Sequence, residues 1–125
     1  MAGFRSHRDF AAWQHAYALR RALLPHLRRI LQAKDFDLYS NLRRAARSAT
    51  RNIAEGFGRF KHKDFARFVR IAKASEVEIL DHLLEAIDSG FLNESDLDTL
   101  ERLTKRAIKA ANGLIRYLES TPDPD

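Results

Sequence analysis

Between Phe10 and Leu118 the apolar residues return every three or four positions, the period of one face of an α-helix, which leaves the chain little choice but helices packed on helices. Phe10, Trp13, Tyr17, Leu24, Leu27 and Leu31, joined on the adjoining edge by Ala16, Leu23 and Ile30, predict a first helix over about 9–33. Pro25 falls inside it. A proline there removes a backbone donor and crowds the carbonyl four residues earlier, but the apolar period continues past it, so a kink is expected rather than a break. A second helix is expected over about 37–57, with Asp37 near its N-cap and Gly56 and Gly58 supplying the backbone freedom to end it. Phe65, Phe68, Val69, Ala72, Ile79, Leu80, Leu83, Leu84 and Ile87 define a third over about 63–89, stopping at Gly90. Asn93 to Asp96 start a fourth, about 94–119, whose Leu97, Leu100, Thr104, Ala107, Ala111, Leu114 and Leu118 form a heptad-like series widened by Leu103, Ile108 and Ile115.

Four amphipathic helices with short joins predict an all-α fold, an antiparallel up-down four-helix bundle, and 125 residues suit a single domain. The bundle should occupy 1–119 and leave 120–125 as a frayed acidic tail. Alanines at 45, 46, 49, 72, 107, 110 and 111 permit close helix approach. The apolar stripes are wider than one intramolecular seam, so a homo-oligomer is expected.

Charge is distributed unevenly. Residues 1–61 hold 13 Lys or Arg against 4 Asp or Glu, a net of +9, while 62–125 hold 9 against 13, a net of −4, within an overall charge of +5. A polyanion would meet the first half first. The absence of cysteine rules out disulfides and thiolate metal sites and fits a cytoplasmic setting. Charges interrupt every apolar run well short of a membrane span, so no membrane partner is expected.

Within the basic half, residues 41–59 read NLRRAARSATRNIAEGFGR. Arg43, Arg47 and Arg51 recur every four positions and form one cationic stripe on a helix, while Leu42, Ala45, Ala46, Ala49 and Ile53 fall on another side. A guanidinium offers phosphate a planar fork of donors and stays charged at any working pH. RNA or DNA is therefore the expected ligand, with Arg20, Arg21, Arg28, Arg29, Arg43, Arg44, Arg47, Arg51, Arg59 and Lys61 as candidate contacts. The chain carries no helix-turn-helix spacing, zinc finger or RNP motif that would read bases, so specificity for sequence should be low. The alternative is a structural or protein–protein interaction module whose basic half docks on an acidic protein surface.

Catalysis finds little support. The histidines are His7, His15, His26, His62 and His82, without HExxH or paired Glu-x-x-His motifs, so neither metal nor cofactor is expected. Glu78, Asp81, His82 and Glu85 read as a polar outer face. The GFG at 56–58 follows a helix and lacks the third glycine of a dinucleotide loop. Trp13 and Tyr17 lie on the apolar period and read as core. Ser48 and Asn52 should bond backbone or a neighbouring helix, and Glu55 should pair with Arg51 or Arg59.

FAAWQ at 10–14, NIAEG at 52–56 and DFARFVRIAKAS at 64–75, together with the 41–59 block, resemble the motifs of a bacterial four-helix-bundle family first met in intervening sequences of 23S ribosomal RNA genes. That family also includes accessory variability proteins of diversity-generating retroelements. Asn41, Ala49 and Ala74 depart from its pattern as packing adjustments. The resemblance implies a four-helix protomer and, in the accessory branch, a ring-like homopentamer that binds nucleic acid and contacts a reverse transcriptase. A non-catalytic role is expected from the absence of metal-binding and nucleophile motifs.

Overall fold

The structure, a computed structural model, describes residues 3–124. A single 3-10 turn, His7–Asp9, leads into four helices: α1 (Ala11–Gln32), α2 (Phe36–Phe57), α3 (His62–Asp88) and α4 (Glu94–Ser120). The joins are set by local chemistry. Lys34, with φ of 64°, turns the chain out of α1, and the amides of Lys34 and Asp35 return to the carbonyls of Leu31 and Ile30. Asp35 then caps α2, its Oδ1 accepting from the Leu38 amide at 3.2 Å. Gly90, with φ of 83°, closes α3 through the same pair of bonds, from Gly90 to Ile87 and from Phe91 to Ala86. The Asn93 side chain caps α4 by accepting from the Asp96 amide at 2.7 Å.

Pro25 is exposed and α1 runs through it without a break. The start of α3 has no cap from its own N-cap residue, Lys61. Its partner comes from beyond α4: Asp123 Oδ1 accepts from the His62 amide at 2.7 Å. His62 Nδ1 donates to the Thr121 carbonyl at 2.9 Å, which places the proton on Nδ1 because a carbonyl only accepts. The acidic tail, expected to fray, is tied to the bundle as far as Asp123.

The core forms two clusters that reveal the helix directions. One gathers Ala12 and Ala16 from the start of α1, Ala49 and Ile53 from the end of α2, Phe65 and Val69 from the start of α3, and Ala111 and Leu118 from the end of α4. The other gathers Leu23 and Ile30, Leu38 and Leu42, Ile79 and Leu83, and Leu100 from the opposite ends. Successive helices therefore run antiparallel, and α1 closes the bundle against α4.

Three expectations are corrected. In α1 the buried stripe is Ala12, Ala16, Leu19, Leu23, Leu27 and Ile30, about one residue round from the expected face, and Leu24 and Leu31 are exposed. Small Ala12 and Ala16 let the helix approach closely, which turns Trp13 and Tyr17 to a half-buried flank where their rings stack at 4.8 Å. In α3, Leu84 is 49% exposed while His82 is buried and sits 3.4 Å from Glu78. Gly56 does not end α2. It is buried within the helix, and Gly58, with φ of −74°, has an ordinary right-handed conformation.

Between the two clusters on α3 stands Glu76, fully buried, with neither carboxylate oxygen hydrogen-bonded to protein. It follows Ala72 by four residues and precedes Ile79 by three, so it occupies a core position. Burial pushes its carboxyl up to about 8, and at neutral pH the group is mostly the uncharged acid.

Candidate nucleic-acid interface

The expected stripe forms. Arg43, Arg47 and Arg51 point from α2 to solvent while Leu42, Ala45, Ala46, Ala49 and Ile53 enter the core. Across the seam from them, α1 presents Arg20 and Arg28. These two with Arg43 and Arg47 rim a cleft of about 330 Å³ whose floor is Leu24, Leu27, Leu31, Tyr39 and Ala46. A second depression, about 290 Å³, continues past Arg47 to Arg51, Trp13 and His7. Among the described residues no acidic one lines either depression.

Pairing divides the ten candidate residues. Arg44 meets Glu78 at 3.0 Å, Arg59 meets Glu55 at 2.9 Å and Asp64 at 3.6 Å, and Lys61 meets Asp123 at 3.7 Å. Arg59 is also held over the Phe68 ring at 4.7 Å. Among the described residues, Arg20, Arg21, Arg28, Arg29, Arg43, Arg47 and Arg51 have no carboxylate within 4.0 Å. Arg20 is positioned rather than neutralised: its Nη1 donates to Thr50 Oγ1 at 3.0 Å and its guanidinium lies over Tyr17 at 5.0 Å. Arg21 lies 6.0 Å from the same ring.

Arg29 is not brought to the cleft. Successive residues turn by about 100°, which carries it well round the helix from Arg20. Its charge acts on His26, whose imidazole is held below the usual histidine range by burial, opposed by Asp96 of α4 and assisted by Arg29. The polar pair behaves as expected: Asn52 Nδ2 donates to the Ser48 carbonyl at 2.9 Å, and Ser75 Oγ of α3 donates to Ser48 Oγ at 2.8 Å. Glu55 takes Arg59.

Sequence reasoning missed the apolar floor. Leu24 and Leu31 were expected on the apolar period of the first helix, and only the rotation of α1 turns them into a surface between arginines. Among the described residues no three His, Asp or Glu side chains come together to hold a metal ion. Among the described residues no helix is long and apolar enough to cross a membrane.

The fold and its face define a class: a small antiparallel four-helix bundle with one strongly cationic helix pair. The family model described as 23S rRNA-intervening sequence protein matches residues 8–113, and the chain belongs to that family. No curated protein matches it.

Proposed function

We propose that the α1–α2 face binds RNA or DNA through phosphate contacts, with low sequence specificity and without catalysis. The observation that carries this reading is the gathering of Arg20, Arg28, Arg43, Arg47 and Arg51 along one seam with no carboxylate among the described residues within 4.0 Å. Phosphate contacts release counterions, so affinity must fall steeply with salt. The test is fluorescence anisotropy with a single-stranded RNA and a DNA duplex at low and moderate salt, for the native chain and for Arg43→Gln/Arg47→Gln/Arg51→Gln. A triple variant that stays folded and binds as well as the native chain rules the reading out.

In this reading the protein works as a homo-oligomer. Val77 and Leu84 of α3, seven residues apart on one side of the helix and 48% and 49% exposed, supply an outward apolar surface for the contact. The family resemblance supports five subunits and a reverse transcriptase as a protein partner. Light scattering after size-exclusion chromatography tests the assembly, and a monomer at micromolar concentration rules it out. A second reading, an interaction module without nucleic acid, is favoured by Leu24 and Leu31, 36% and 41% exposed, between the same arginines. Salt-insensitive failure to bind either polymer would select it.

A further inference from the structure

We propose that the cleft between α1 and α2 receives one unstacked base of a single-stranded nucleic acid, so that the protein selects single strands over duplex. The proposal rests on the reading of this face as a nucleic-acid interface and says which form of the polymer it takes.

The cleft has two chemistries. Its rim is cationic, from Arg20, Arg28, Arg43 and Arg47, and suits phosphate. Its floor, from Leu24, Leu27, Leu31 and Ala46 with the Tyr39 ring, is apolar and offers a phosphate nothing. A duplex keeps its bases paired and stacked, presenting backbone and groove edges but no free base face, so it engages the rim and leaves the floor wet. A single strand can turn one base inward onto the floor while its flanking phosphates stay on the arginines. About 330 Å³ lies at the small end of the range for small-molecule sites, a scale suited to one base.

The nearby aromatic pair does not serve instead. Trp13 and Tyr17 cover a face of each other, interplanar angle 11°, and the Arg20 guanidinium lies over Tyr17.

The experiment compares three fluorescein-labelled 20-mers: a single strand, the same strand with abasic sites throughout its central half, and its duplex. Each is titrated at low salt with the native chain and with Leu24→Ser/Leu31→Ser. Both leucines are exposed, 36% and 41%, so the fold should survive, and circular dichroism checks it. The intact strand should bind the native chain about tenfold tighter than the abasic strand or the duplex, within the range of one base stacked on an aromatic side chain. The double variant should lose that advantage and keep the weaker binding of the other two. Equal binding of all three by the native chain overturns the proposal while leaving the nucleic-acid reading intact. Absence of binding by all three overturns both. A change in subunit number in the double variant, read by light scattering, assigns the cleft to a second copy and overturns the proposal.

Discussion

The Phe65 ring lies where a side chain on Gly56 would begin: a Cβ built at residue 56 would stand 2.6 Å from Phe65 Cδ1 and 3.0 Å from Phe68 Cβ. The glycine is the seat on which α3 rests against α2, and Phe65 in turn meets Phe10 and Phe57 edge to face at 5.5 Å and 6.4 Å. Gly56→Ala gains up to about 1 kcal/mol of helix propensity but overpacks this contact, which costs about 1–3 kcal/mol or more. A net loss of about 1–2 kcal/mol is expected in urea unfolding. Gly58→Ala should be close to neutral, because its nearest neighbour, the Glu55 carbonyl oxygen, is 3.4 Å away and its φ suits any residue. Equal losses at the two positions would refute the packing role of Gly56.

Glu76 makes stability depend on pH in an unusual direction. Its carboxyl is raised from 4.5 to about 8 in the folded chain by burial, so between those values the folded state holds a proton that the unfolded state has released. Stability from this group is fully present below about pH 4.5 and falls by up to about 1.4 kcal/mol per pH unit until about pH 8, above which both states are ionised and the loss levels off. Other groups titrate over the same range, so the difference between the native chain and Glu76→Leu is the quantity to follow. The variant should gain on the native chain steadily from pH 5 to pH 8 and be the more stable at pH 8. A difference that stays constant across that range would show that the carboxyl is not held neutral.

Lys34 carries a left-handed backbone, φ of 64°, to join α1 to α2, a conformation that crowds any side chain beyond glycine. Its side chain is exposed, so little packing is at stake. Lys34→Gly should raise the unfolding free energy by up to about 1 kcal/mol and leave binding at the cleft unchanged. A loss of stability would mean that the lysine makes up the strain elsewhere.

The helices and their order were legible because apolar period is a local signal, and Gly90 and Asn93 act within a few residues of where they stand; the α2 cap was expected near Asp37 but is Asp35, and the α3 start takes its partner, Asp123, from 61 residues away. The face that α1 buries was not. Its apolar arc is wide enough to allow either Trp13, Leu24 and Leu31 or Ala12, Leu19 and Leu23 to turn inward, and only the close approach at the alanines decides between them. Glu76 sat in plain view at the core spacing between Ala72 and Ile79, but its charge argued for the surface, and nothing local announces that it is protonated. The arginine stripe was legible from its period of four. Its division was not, because Arg44 finds its acid, Glu78, on another helix 34 residues away.

That division is itself testable, since only cations without an acid are free to displace counterions from phosphate. Arg43, Arg47 and Arg51 should each contribute to the salt dependence of binding, whereas Arg44, Arg59 and Lys61 are occupied by Glu78, by Glu55 with Asp64, and by Asp123. Each phosphate contact contributes about 0.7–0.9 to the slope of log K against log salt, so replacing Arg43, Arg47 and Arg51 with glutamine should flatten the slope by about 2–3 per protomer engaged. Replacing the three paired residues should change it by less than about 1, with a small loss of stability from exposed ion pairs. Equal flattening by the two triple variants would mean that net charge alone governs binding and that the α1–α2 seam is no particular site.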